Sequence, residues 1–114
     1  MSPSWRVRYA VFTWVPEPML AEWNEWHNRV HIPRVLQAPQ MKGARKFRVT
    51  DTTLPGEWRP QYVTIYELES LDDFESYRLG PGAAMRAEYD EKYGDVGKTA
   101  RLVMTEEAPR GGPA

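Results

Sequence analysis

A chain of 114 residues with 41% hydrophobic and 27% charged side chains is sized and balanced for one globular domain, not for a disordered segment. Its formal net charge of −1 and the lack of a long basic run argue against a general nucleic-acid binder, which needs a basic stripe to meet phosphates. The absence of cysteine removes disulfides, thiol catalysis and thiolate metal sites, and no apolar run approaches the ~20 residues of a membrane span.

Residues 1–4 read as a loose start without a signal-peptide core, so a cytoplasmic location is expected. Residues 6–15 read as a strand in which Val7, Tyr9, Val11, Thr13 and Val15 alternate with Arg6, Arg8, Ala10, Phe12 and Trp14. Both sides turn apolar in its second half, which predicts cover on both faces. Pro16 and Pro18 end the strand and prepare a helix. Residues 19–31 give the clearest helix: Met19, Leu20, Trp23, Trp26, His27 and Val30 share one side, and His31 lies at the edge of that stripe, one turn beyond His27. Pro33 predicts a kink or break near His31. The carbonyls freed there would favour a protonated imidazole.

The chain then runs as a helical turn and a loop to residue 40, a second strand at 41–50, a loop at 51–60 punctuated by Pro55-Gly56, and a strong strand at 61–69 rich in β-branched and aromatic residues. Ser70 is placed to cap a helix with an acidic first turn, whose buried side is Leu71, Phe74 and Tyr77. Gly80-Pro81-Gly82 interrupts it. A second helical piece at 83–93 buries Met85 and Tyr89, Gly94 closes it, and a last strand covers 98–106. The domain is therefore expected at 1–106, with 107–114 a flexible Pro/Gly tail. The order β-α-β-β-α-β is that of an α+β, ferredoxin-like fold: a four-stranded antiparallel sheet with helices on one face. The other face carries Phe12 and Trp14, or Tyr62 and Tyr66, depending on register. An apolar open face predicts cover by a second copy, hence a homodimer.

The run Trp26-His27-Asn28-Arg29-Val30-His31-Ile32-Pro33 resembles the W-x-x-x-x-H-[IL]-P helix motif of the small dimeric α+β-barrel superfamily. Ala38–Gln40 with Ala44–Phe47 resembles the second strand of those proteins, and YVTIYELES from Tyr62 resembles their third strand and helix entry. The resemblance covers about residues 7–77. It implies a dimeric α+β barrel and relatives that include EthD-like proteins, cofactor-free monooxygenases, lactone isomerases, polyketide cyclases and haem-binding enzymes. Gln40 stands where the family usually has Gly, and His27 where it has an aromatic residue, often Tyr.

His31 titrates in a range suited to proton transfer and is the first candidate acid/base, against a reading as a cap of the broken turn. His27 either assists it or packs. The pair has the spacing of a helical metal chelate but lacks the adjacent Glu and an obvious third ligand, so no metal is expected. Arg45 is a candidate to hold an anionic oxygen, or else a surface ion pair. Tyr62 and Tyr66 share a strand face and are candidate phenolic donors. Trp14, Trp23, Trp26 and Phe12 are candidates to bind aromatic rings, and Trp58 is a candidate lid or dimer contact. No phosphate loop, dinucleotide fingerprint or Ser-His-Asp set is present. The expectation is a cofactor-independent enzyme acting on an aromatic or polyketide-like small molecule by cyclisation, isomerisation or oxygenation. A non-catalytic binding protein and a haem-binding protein are the alternatives. No nucleic-acid or membrane partner is expected.

Overall fold

The structure, a computed structural model, describes residues 6–107. The expected loose start and nearly all of the expected tail lie outside the described residues. Four strands, β1 (Val7–Trp14), β2 (Gly43–Arg48), β3 (Tyr62–Leu68) and β4 (Lys98–Thr105), form one sheet in the order β2-β3-β1-β4. Every neighbouring pair is antiparallel. This is the ferredoxin-like α+β arrangement.

The register settles which residues share a face. Tyr9 stands opposite Tyr66, and Val11 opposite both Thr64 and Arg101. Side chains alternate along a strand, so Tyr9, Val11, Thr13, Tyr62, Thr64, Tyr66 and Arg101 project toward the helices. Phe12, Trp14, Val63, Ile65 and Leu102 project from the open face. On β2, Ala44 pairs with Tyr66 and Lys46 with Thr64, which sends Ala44 and Lys46 to the helix side and Arg45 and Phe47 to the open side. Beyond β1, the Gln61 side chain substitutes for a strand partner. Its Oε1 accepts from the Val15 N–H at 2.9 Å and its Nε2 donates to the Val15 carbonyl at 2.8 Å.

A 3₁₀ turn (Glu17–Met19) leads into α1 (Leu20–Trp26), a π-helical turn (His27–His31) and α2 (Ile32–Val35). Of the kink or break expected near His31, the break is corrected here: His31 and Ile32 keep right-handed helical geometry, and the Ile32 N–H reaches back five residues to the His27 carbonyl. In a regular helix the proline ring would meet the carbonyl of Arg29; the wider turn makes room for it. The extra residue also shifts the helix phase, so Val30 is 39% exposed instead of joining the apolar stripe.

α3 (Leu71–Leu79) starts at Ser70, whose hydroxyl accepts from the Asp73 N–H at 3.1 Å. Leu71, expected inside, is 54% exposed because it opens the helix ahead of the turn that packs. α4 (Pro81–Tyr93) begins two residues earlier than expected, with proline in its first turn, where no N–H is needed. Two apolar clusters result. One joins Val7, Tyr9, Tyr66, Leu68 and Tyr77 with Val35, Ala38 and Met41; the other joins Val15, Trp23, Tyr89 and Tyr93.

Candidate active site

The π turn organises a staircase of rings. Trp23, fully buried on α1, stacks on His27 at 4.3 Å and 17°. His27 lies 5.5 Å from His31, and His31 stacks on Trp26 at 5.0 Å. Tyr89 of α4 meets His31 edge-on at 5.5 Å. The Nδ1 atoms of both histidines are buried without a hydrogen-bond partner. Burial is the main reason both rings resist protonation. It holds His27 far below its usual 6.5, with the positive charge of Lys46 and then His31 adding to the effect. It lowers His31 to about 4, reinforced by Arg34 and Arg101. The expectation of a protonated His31 at a helix break is thereby overturned. The turn is not broken, its His27 carbonyl is engaged, and the local charges are guanidiniums.

His31 opens onto a cavity of about 50 Å³ where the two clusters meet. Five further rings line it: Tyr9, Tyr66, Phe74, Tyr77 and Tyr89. Met85 and three guanidiniums, Arg78, Arg86 and Arg101, also line it. Burial raises the Tyr66 hydroxyl, with Tyr77 and Tyr9 adding to the effect, and burial takes Tyr77 and Tyr89 to about 12. All three remain neutral hydrogen-bond donors across the ordinary pH range. Trp23 fixes Tyr89 in turn, its Nε1 donating to the phenolic oxygen at 2.9 Å.

The residues singled out in the sequence divide by sheet face. His31 and Tyr66 line the cavity; His27 lies behind His31, and Trp26 covers one side of it. Trp23 is a packing residue, not a wall. Tyr62 shares the face of Tyr66, but its hydroxyl accepts from Asn24 Nδ2 at 3.1 Å and does not reach the cavity. Arg45, Phe12 and Trp14 are corrected: strand alternation places them on the open face, across the sheet from the histidines. Trp58 meets Phe12 edge-on at 6.5 Å on that open face. Among the described residues no third His, Asp or Glu joins the histidine pair to hold a metal.

Sequence reasoning missed Lys46, Tyr89 in contact with His31, and Arg101. Lys46 donates to Asn24 Oδ1 and Asn28 Oδ1, both at 2.7 Å, and sits 4.6 and 4.5 Å from the ring centres of Trp23 and Tyr62. Partial burial takes its amine down to about 8. It ties edge strand β2 to α1 and the π turn. The signal available was its place two residues after Ala44, but GARKFR has no clean alternation to fix the face.

The family profile described as Domain of unknown function (DUF4286) matches residues 6–107. The chain belongs to the DUF4286 family. No curated protein matches this DUF4286 chain. Among solved structures it is similar to an EthD family protein of Bacillus halodurans, with a TM-score of 0.70 and 16% identity over 90% of this chain and 99% of that one. It is similar to SnoaB, a cofactor-independent oxygenase from Streptomyces nogalater, with a TM-score of 0.64 and 17% identity over 94% and 100%. It is also similar to the haem-degrader MhuD from Mycobacterium tuberculosis, with a TM-score of 0.60 and 20% identity over 92% and 99%. At such identities the likeness is one of fold, and the fold of the DUF4286 chain is ferredoxin-like. No described helix is long and apolar enough to cross a membrane.

Proposed function

We propose that this DUF4286 protein is a cofactor-independent enzyme that removes or relays a proton on a small aromatic or polyketide-like molecule, with His31 as the acid/base. The observation that carries this reading is the placement of His31. It is a neutral imidazole with an unpartnered buried nitrogen, and it faces a cavity walled by aromatic rings and neutral phenols. A neutral imidazole accepts a proton from an activated C–H or O–H, and Tyr66 and Tyr77 are placed to donate to the oxyanion that develops. His27, stacked between Trp23 and His31, positions the ring that acts. The enolate so formed is the common entry to cyclisation, isomerisation and oxygenation. The fold shared with a cofactor-independent oxygenase supports this reading.

Haem fits the site poorly. The cavity of about 50 Å³ is smaller than the roughly 150 Å³ that holds a benzene ring, and a macrocycle would have to part sheet from helices. Trp26 and Tyr89 also enclose the imidazole that would serve as ligand. A single ring asks for a smaller expansion, and the wall includes the flexible Met85 and arginine side chains. The reading includes a homodimer, supported by the apolar open face, where Phe47, Leu102 and Met104 are 48%, 51% and 39% exposed.

The test is deuterium exchange from solvent into a panel of enolisable aromatic ketones and phenols, followed by mass spectrometry. The wild type should accelerate exchange for at least one member, and His31→Gln should lose about 100-fold or more of it. Undiminished exchange in His31→Gln would remove the assignment. Binding of a panel member with neither exchange nor product would favour a carrier.

A further inference from the structure

The rim of the cavity carries a charge pattern that the acid/base reading leaves unused. Arg78 on α3 is paired with Glu75, and Arg34 on α2 with Glu88 at 2.7 Å. Arg86 on α4 and Arg101 on β4 have no carboxylate partner among the described residues. The Arg101 side chain donates to the Thr99 hydroxyl at 3.4 Å. Both residues are exposed, yet both line the cavity. Their charge reaches inside it: Arg101 acts on His31, Tyr77 and Tyr89, and Arg86 acts on Tyr77. Two unneutralised guanidiniums from different elements thus converge on one mouth, above a floor of aromatic rings.

We propose that the ligand of this site is an aromatic carboxylate, with its ring against the tyrosines and its carboxylate held at the mouth by Arg86 and Arg101. The inference rests on the site assigned above and names the class of molecule it takes. A guanidinium presents two parallel N–H donors to a carboxylate, and the rings below offer flat apolar contact to a planar body. Neither feature alone selects this class. A neutral aromatic would leave both guanidiniums unmatched at the rim, and an aliphatic anion would leave the ring-lined floor without its complement. The cavity must widen to admit the ring, and three of its lining side chains, Met85 and the two arginines, are long and unbranched.

Benzoate and its neutral isostere benzamide test this by calorimetric titration of the full chain, with cyclohexanecarboxylate as the non-aromatic anion. Benzoate should bind at least tenfold tighter than either, and the preference over benzamide should weaken as salt is raised. Arg86→Gln and Arg101→Gln replace exposed side chains and should fold normally by circular dichroism. Each should reduce the benzoate preference several-fold and the double variant should abolish it. Equal binding of benzoate and benzamide, a preference unchanged in the double variant, or no binding of any probe would overturn the inference. His31→Gln separates it from the acid/base assignment. That variant should keep the benzoate preference while losing proton exchange. If the anion preference fails while exchange still depends on His31, only the ligand class falls. If the preference holds and His31→Gln exchanges normally, only the acid/base role falls.

Discussion

His27 and His31 are two imidazoles that the fold keeps neutral, and this has a measurable consequence. In the unfolded chain each takes up its proton near pH 6.5. In the fold His31 does so only near 4, and His27 lower still, chiefly because burial removes water from the charged form. Below pH 6.5 the unfolded chain therefore binds protons that the folded chain refuses. Stability contributed by the pair is complete above that pH and declines as pH falls toward 4. The slope approaches about 1.4 kcal/mol per pH unit for each histidine. Thermal melts between pH 7 and 4.5 should show the midpoint falling. His27→Phe, which preserves a flat ring against Trp23, should remove roughly half of the slope. A midpoint independent of pH in the wild type would contradict the burial argument. The motif points to His31, with His27 a departure from it, and a broken turn at His31 predicts the opposite protonation state from the one the fold imposes. Sequence shows Pro33 two residues after His31; it does not show a π turn that absorbs the proline or a guanidinium arriving from β4.

At the scale of elements, the cavity depends on how closely α3 meets α4. Gly82 lies in the first turn of α4, and a methyl group on it would fall 2.6 Å from the Tyr77 ring and 2.8 Å from the Tyr77 carbonyl. Turning the ring would relieve the first clash but not the second, so the backbone must shift as well, and Tyr77 lines the cavity. Gly82→Ala should destabilise the protein by about 1–3 kcal/mol, the usual effect of overpacking. It should also weaken benzoate binding more than Ala83→Gly, a change at the exposed neighbouring position. Chemical denaturation and titration of both variants check this, and a Gly82→Ala variant as stable as wild type would refute the close-packing argument. The Gly-Pro-Gly run was legible in the sequence as a break between helices. That its second glycine is a packing contact beneath a cavity-lining tyrosine was not, because the contact joins side chain to backbone across two helices.

For the whole molecule, the open sheet face is the question. Phe12, Trp14, Val63, Ile65 and Leu102 project from it, with Phe47 at the β2 edge. If a second copy covers this face, light scattering after gel filtration should give twice the chain mass. Leu102→Arg, in the middle of β4, should shift the protein to a monomer with little loss of secondary structure. A monomeric wild type at tens of micromolar would contradict the homodimer. The same face holds Arg45, so its role is to be sought at that surface and not beside His31.

By itself, the sequence determined the four strands, the long first helix, the Ser70 cap and the ferredoxin-like order, because each rests on local periodicity, turn chemistry or capping within a few residues. It also marked the histidine helix as the place of interest. Tertiary structure decided which face each strand residue takes, since a one-residue change of register moves every side chain across the sheet. It placed Tyr66 at the cavity and sent Phe12, Trp14 and Arg45 away from it. It brought Arg101, far along the chain from His31, to the same cavity, and it made the histidines neutral through burial. Those outcomes depend on long-range pairing and on the exclusion of water, and neither is written in the spacing of neighbouring residues.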